Sequence, residues 1–95
     1  MMKLIASQPY VYTTRVIEYN EQHVTEREEM IDLYEEKLTT PLQQFHLKEV
    51  FDMSHRIISA EYGFLYLHTC KGVFSFNVTT SPQAFIQAYK QLKSN

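Results

Sequence analysis

The stretch from Phe64 to Val78 leaves this chain the least freedom. In Phe64-Leu65-Tyr66-Leu67-His68-Thr69-Cys70, Leu65 and Leu67 point one way while Phe64, Tyr66, His68 and Cys70 point the other, the period of two that an extended strand imposes. Lys71-Gly72 follows, and glycine enters the left-handed region without steric cost. Val73-Phe74-Ser75-Phe76-Asn77-Val78 therefore returns as the second strand of a tight hairpin, with Phe74, Phe76 and Val78 toward the core and Ser75 and Asn77 away from it. A chain built around this hairpin has to form an antiparallel sheet and cover its apolar face.

Ser81-Pro82 begins the cover. The serine oxygen accepts from the first free backbone N–H groups of a helix, and proline is harmless in the first turn because its missing donor has no helical partner there. From here to about Leu92, Phe85, Ala88, Tyr89 and Leu92 recur at i, i+3, i+4 and i+7, one apolar stripe of a helix laid on a sheet. Lys90 and Lys93 stand near the negative end of its dipole.

At the other end, Tyr10 to Tyr19 is rich in β-branched and aromatic residues, which pack well on a pleated surface. It reads as a strand that turns at Asn20-Glu21-Gln22, with His23 to Arg27 as a short returning partner. Residues 25–40 support two readings. Thr25 and Glu28 make a possible capping box and Met30, Leu33, Tyr34, Lys37 and Leu38 keep helical spacing, while Ile31 and Leu33 alternate with Asp32 and Tyr34 as in a strand. Thr39-Thr40-Pro41 closes the segment in extended form, since the residue before proline avoids the α region. Leu47 to Met53 reads as a strand with Phe51 and Met53 on one face, although Leu47 and Val50 have the spacing of a helical turn.

A length of 95 residues holds one domain, 1–95, and not two. With 44% hydrophobic residues it can build a core unaided. Nine Lys and Arg against eleven Asp and Glu is a poor match to the basic footprint of duplex binding, so no nucleic-acid partner is expected. Cys70 is the single cysteine; no internal disulfide is possible and a reducing compartment fits. No apolar run is long enough to span a membrane, and Met1-Met2-Lys3-Leu4-Ile5-Ala6-Ser7 is too short for an export signal. A cytoplasmic protein with no membrane insertion is the expectation.

The residues that carry chemistry do not form a recognisable set. His68 and Cys70 share a strand face, and His46 and His55 are available as further metal ligands, but paired Cys-x-x-Cys or His-x-x-x-His spacing is missing. Asp52, Ser54 and His55 have the residue types of a nucleophilic triad, yet neighbours in an extended chain point to alternate faces and cannot converge. Asp52 and Arg56 are expected to pair or to bond backbone at a strand end, with Ser54 in a turn. Only Gly63 and Gly72 occur, so no glycine-rich phosphate loop exists. The expectation is no catalytic residue, no cofactor and no metal. Glu26, Glu28, Glu29, Glu35 and Glu36 read as a solvated acidic face.

Asp52-Met53-Ser54-His55-Arg56, Gly63 to Thr69, Gly72-Val73-Phe74-Ser75-Phe76, and Pro82 with Phe85-Ile86 and Tyr89 resemble small bacterial proteins with a pleckstrin-homology-like domain. The likeness runs over about residues 45–93 and reaches the N-terminal half only by element order. It implies a mainly β fold, an antiparallel barrel or sandwich of about seven strands in two sheets capped by a C-terminal helix, and it favours strand for residues 30–38. Lipid-binding members of that family use Lys and Arg on and between the first two strands. Here the region reads Arg15-Val16-Ile17-Glu18-Tyr19-Asn20-Glu21-Gln22-His23, one arginine among acids, so lipid binding does not carry over.

These observations lead to a non-enzymatic binding or scaffold module that recognises a protein or peptide by an exposed strand edge, with a homodimer through such an edge as the nearest variant. Tyr10, Tyr12 and Tyr19 are the candidate partner-binding residues, because tyrosine offers large contact area for little lost entropy. The rival is a small enzyme or ligand carrier with an internal pocket lined by Tyr66, His68 and Phe51.

Overall fold

Each segment with a period of two becomes a strand. β1 (Leu4–Glu18) and β2 (Glu21–Tyr34) form a long antiparallel hairpin, followed by the short strands β3 (Lys37–Thr39) and β4 (Gln44–His46). A single 3-10 turn, Leu47–Glu49, leads into β5 (Val50–Ile57), then β6 (Gly63–Thr69), β7 (Gly72–Val78) and the one helix, α1 (Gln83–Ser94). The structure, a computed structural model, describes residues 3–94 with the side chains of Thr14 and Arg15 set aside. Met1, Met2 and Asn95, the outermost positions of the domain expected over 1–95, lie outside the described residues.

The protein is mainly β with one C-terminal helix, as the sequence predicts. All seven strands belong to one antiparallel sheet in the order β4-β3-β2-β1-β7-β6-β5. The sheet is bent over on itself, because Phe45 on β4 meets Phe74 on β7 edge to face with ring centres 5.0 Å apart. Between its halves lie Ile31, Leu33, Leu38, Phe45, Val50, Met53, Leu65, Leu67 and Val78, all buried. Among the described residues, fourteen buried apolar side chains form a single cluster. Burial of that kind is what offsets the conformational entropy lost on folding.

α1 covers the open side of this core. Phe85, Ile86 and Tyr89 are buried, and the Tyr89 hydroxyl donates to the Val50 carbonyl at 2.8 Å. Lys93 Nζ donates to the Leu47 carbonyl at 3.1 Å and holds the last turn against the 3-10 segment. At the start, Gln83 N–H donates to Ser81 Oγ at 3.4 Å, and Ile86 N–H donates to the Pro82 carbonyl as the first helical bond. Ser81 Oγ thus accepts from the first helical residue as the sequence predicts, while Pro82 stands one residue before the helix and not in its first turn, and the helix continues two residues past Leu92, to Ser94.

Residues 25–34 are strand, with Ile31 and Leu33 inside and Glu28 and Met30 outside. Propensity left the segment open, and pairing with β1 over its whole length decides it. The returning strand is accordingly much longer than His23 to Arg27. Leu47 to Met53 divides into both of its possible readings. His46 Nδ1 accepts from Lys48 N–H while Glu49 Oε1 accepts from His46 N–H, a capping box around the 3-10 turn, and the strand begins only at Val50.

The placing of Phe51 beside Met53 is corrected by a bulge. Val50 pairs with Thr69 and Asp52 with His68, so Phe51 is an extra residue that breaks the alternation. Val50 and Met53 are buried, whereas Phe51 is 65% exposed. Both glycines have positional reasons. Gly72 sits at φ +121°, and a Cβ on Gly63 would collide with the Arg56 carbonyl oxygen, so β5 and β6 approach each other there only because a side chain is missing.

Candidate functional site

A sheet open at both ends has two edge strands, and β5 is the more substantial of them. The direction of its free backbone groups follows from the neighbouring hairpin. β6 and β7 are joined by two residues, Cys70 and Lys71, so Thr69 and Gly72 form the closing hydrogen-bonded pair. Alternation along an antiparallel ladder then turns Phe64, Tyr66 and His68 toward β5, where Arg56, Ser54 and Asp52 receive them. The residues between, Met53, His55 and Ile57, carry N–H and C=O groups that point out of the sheet.

α1 runs beside this edge. Gln83, Ile86, Gln87 and Lys90, at i, i+3, i+4 and i+7 on the helix, face Asp52, Met53, Ser54 and His55 across a groove of about 410 Å³. Its floor is apolar, Met53 and Ile86. The rims are polar, with Lys90 on the helix side and Asp52 on the strand side. Tyr89 and Val50 fasten the two walls together at one end. Burial pushes the Tyr89 phenol up from its ordinary range, and the Asp52 carboxylate nearby adds to the rise, so the fastening hydroxyl keeps its proton.

A second concavity, of about 270 Å³, lies where the β5–β6 connection meets the β7–α1 connection; Arg56, Tyr62, Phe64 and Pro82 are among its walls. It adjoins the groove through His55, which lines both.

The three candidate tyrosines have different fates. Tyr10 is buried, with its ring edge-on to Phe76 at 5.0 Å, and burial followed by the Glu29 carboxylate raises its phenol above the ordinary range. With Tyr12, Thr40, Gln43 and Phe76 it also lines a shallow concavity of about 240 Å³. Tyr12 is half-buried and packs against the same cluster. Tyr19 is 96% exposed at the tip of the β1–β2 hairpin, where it and Asn20 both have positive φ, 51° and 63°. None of the three lies in the groove. The groove residues were hidden from sequence reasoning because the bulge at Phe51 and the register with β6 decide which atoms of β5 are free.

The residues weighed for chemistry are dispersed. Among the described residues no group of three or more His, Cys, Asp or Glu could hold a metal ion. Ser54 lies within β5 and not in a turn; its hydroxyl contacts His68 Nε2 at 2.9 Å across the β5–β6 ladder, away from His55. Among the described residues Lys71 and Glu49 form an ion pair at 3.3 Å, His23 Nε2 lies 3.9 Å from a Glu21 oxygen, and Asp52 and Arg56 do not pair. Cys70 is exposed, 3.8 Å from a Glu49 oxygen. Tyr66 and His68 are half-buried on the face of β6 away from Leu65 and Leu67, and the exposed Phe51 stands in the bulge. No helix of the described residues is long and apolar enough to cross a membrane.

No family model, no curated protein and no solved structure matches the chain.

Proposed function

We propose that this chain is a non-enzymatic binding module, pleckstrin-homology-like in form, that takes up an extended peptide along the free edge of β5. Support comes from one coincidence: the unpaired N–H and C=O groups of Met53 and His55 lie beside an apolar-floored groove whose second wall is α1, and those of Ile57 continue the edge along the adjoining concavity. Main-chain hydrogen bonds along such an edge supply affinity, and side chains of the added strand that alternate into a groove supply selectivity. The Met53–Ile86 floor suits one apolar peptide side chain, and the Lys90 and Asp52 rims suit charged neighbours of opposite sign.

Selection of a random peptide library against the purified protein tests the reading. Enriched peptides should carry an apolar anchor, and on titration they should shift the amide resonances of residues 52–57 and of the Gln83–Lys90 face. His55→Pro removes an outward-pointing donor at an edge position where proline is tolerated, and it should abolish binding without unfolding the protein. Enriched peptides that bind His55→Pro undiminished, or that shift resonances elsewhere, would refute it.

A further inference from the structure

Beyond the groove, the part of the β1–β2 hairpin farthest from the core poses a question of its own. From Glu21 to Glu28 every residue of β2 is exposed. β3 pairs with β2 only at Asp32 and Leu33, so among the described strands nothing covers the outer edge of β2 from Glu21 to Ile31. Val16, Ile17, Tyr19 and Val24 stand in solvent on the same ribbon. A two-stranded ribbon is marginal in water by itself, and a long open edge is a template for another strand.

We infer that the occupant of this edge is a second copy of the chain, paired β2 to β2 in antiparallel fashion about Val24. The register follows from backbone direction and charge. The turn at Tyr19-Asn20 is two residues long, so Glu18 and Glu21 are the closing hydrogen-bonded pair. Odd-numbered residues of β2 therefore bond to β1, and Gln22, Val24, Glu26 and Glu28 turn their N–H and C=O outward. The pairing of Asp32 with Thr39 obeys the same parity.

A two-fold pairing must set outward residues against outward residues, which leaves a short series of registers. Centred on Val24, it places Val24 against Val24, Gln22 against Glu26, His23 against Thr25, and Glu21 of each copy against Arg27 of the other. Two opposite-charge pairs form and no like charges meet. One step toward the turn sets His23 against His23 with no ion pair within the strands. One step the other way opposes Glu21 to Glu29 and His23 to Arg27, and the next opposes Glu26 to itself. Glu26, Glu28 and Glu29 thus guard the inner part of the edge, as charged residues on free edges do, and leave the outer part able to pair. The antiparallel arrangement also puts the two bodies at opposite ends of the joined ribbons, where they do not collide.

The test uses the full chain. Sedimentation equilibrium over a concentration series should show a rise toward the dimer mass. Glu21→Arg and Arg27→Glu each convert two attractive pairs into two repulsive ones and should each weaken association about tenfold, on the scale of cross-strand charge pairs. An equimolar mixture of the two variants restores both pairs as Arg–Glu and should associate at least as well as the parent. In a Cys70→Ser background, Val24→Cys should cross-link to itself under mild oxidation, because directly opposed hydrogen-bonded residues have Cα atoms about 5.5 Å apart; His23→Cys should cross-link poorly. A monomer persisting to about millimolar concentration, the range of weak association, overturns the inference. So does association that neither charge variant weakens, or a mixture no better than its components.

Discussion

The body of the protein and the outer half of its first hairpin are made of the same kind of strand, yet they are held in opposite ways. In the body, Leu65, Leu67, Val50 and Met53 alternate inward and are fully or almost fully buried between two halves of the sheet and a helix. In the outer hairpin, Val16, Ile17 and Val24 are apolar too, but they are spread over both faces, no opposing layer covers them and they stay wet. The body is stabilised by burial, the arm by backbone pairing and a turn. A strand can therefore be specified by its ladder alone, but a large contribution to stability comes only where a second layer closes over it.

Substitutions graded along this contrast would sharpen or break it. Phe85→Ala removes a ring that is 2% exposed and should cost about 3–5 kcal/mol; a chemical melt that loses less than about 1 kcal/mol would mean that α1 is not the cover of the core. Gly63→Ala forces a Cβ against the Arg56 carbonyl and should cost about 1–3 kcal/mol, as overpacking does, measured in the same melt. Tyr89→Phe leaves the Val50 carbonyl without its donor and should cost about 1 kcal/mol near neutral pH.

The same variant has a pH signature. The folded Tyr89 phenol is raised, so the stability linked to it is intact below the ordinary phenol range and disappears as pH climbs through the raised value; Tyr89→Phe should lose stability less steeply in alkali. Glu49 behaves in the opposite sense. The His46 N–H, then Lys71, hold its carboxyl below the usual range, so its contribution is present above that range and vanishes as pH falls through the lowered value. Glu49→Gln should flatten the acid limb of a stability profile.

On the arm, Ile17→Ser should change monomer stability by less than about 0.5 kcal/mol, the usual range for exposed sites. Amide exchange measured on dilute protein should be fast at the outward groups of Gln22 and Val24 and slow at Leu65 and Leu67. An arm as protected as the body would erase the distinction.

Period-two alternation in Phe64 to Val78, the Gly72 turn, the Ser81 cap and the Phe85–Tyr89 stripe each depend on residues close together in sequence, and local stereochemistry settles them. The chain by itself therefore determined the terminal hairpin, the C-terminal helix and the mainly β class. Tertiary structure decided everything that depends on which distant strand is the neighbour. Helix or strand for residues 25–34 was settled by β1, the burial of Tyr10 by Phe76 on β7, and the exposure of Phe51 by the register of β5 on β6. The groove beside β5 and the open edge of β2 belong to this second group, because a free hydrogen bond is defined by the absence of a partner, and partners are assigned by the assembled sheet and not by the residue that waits for one.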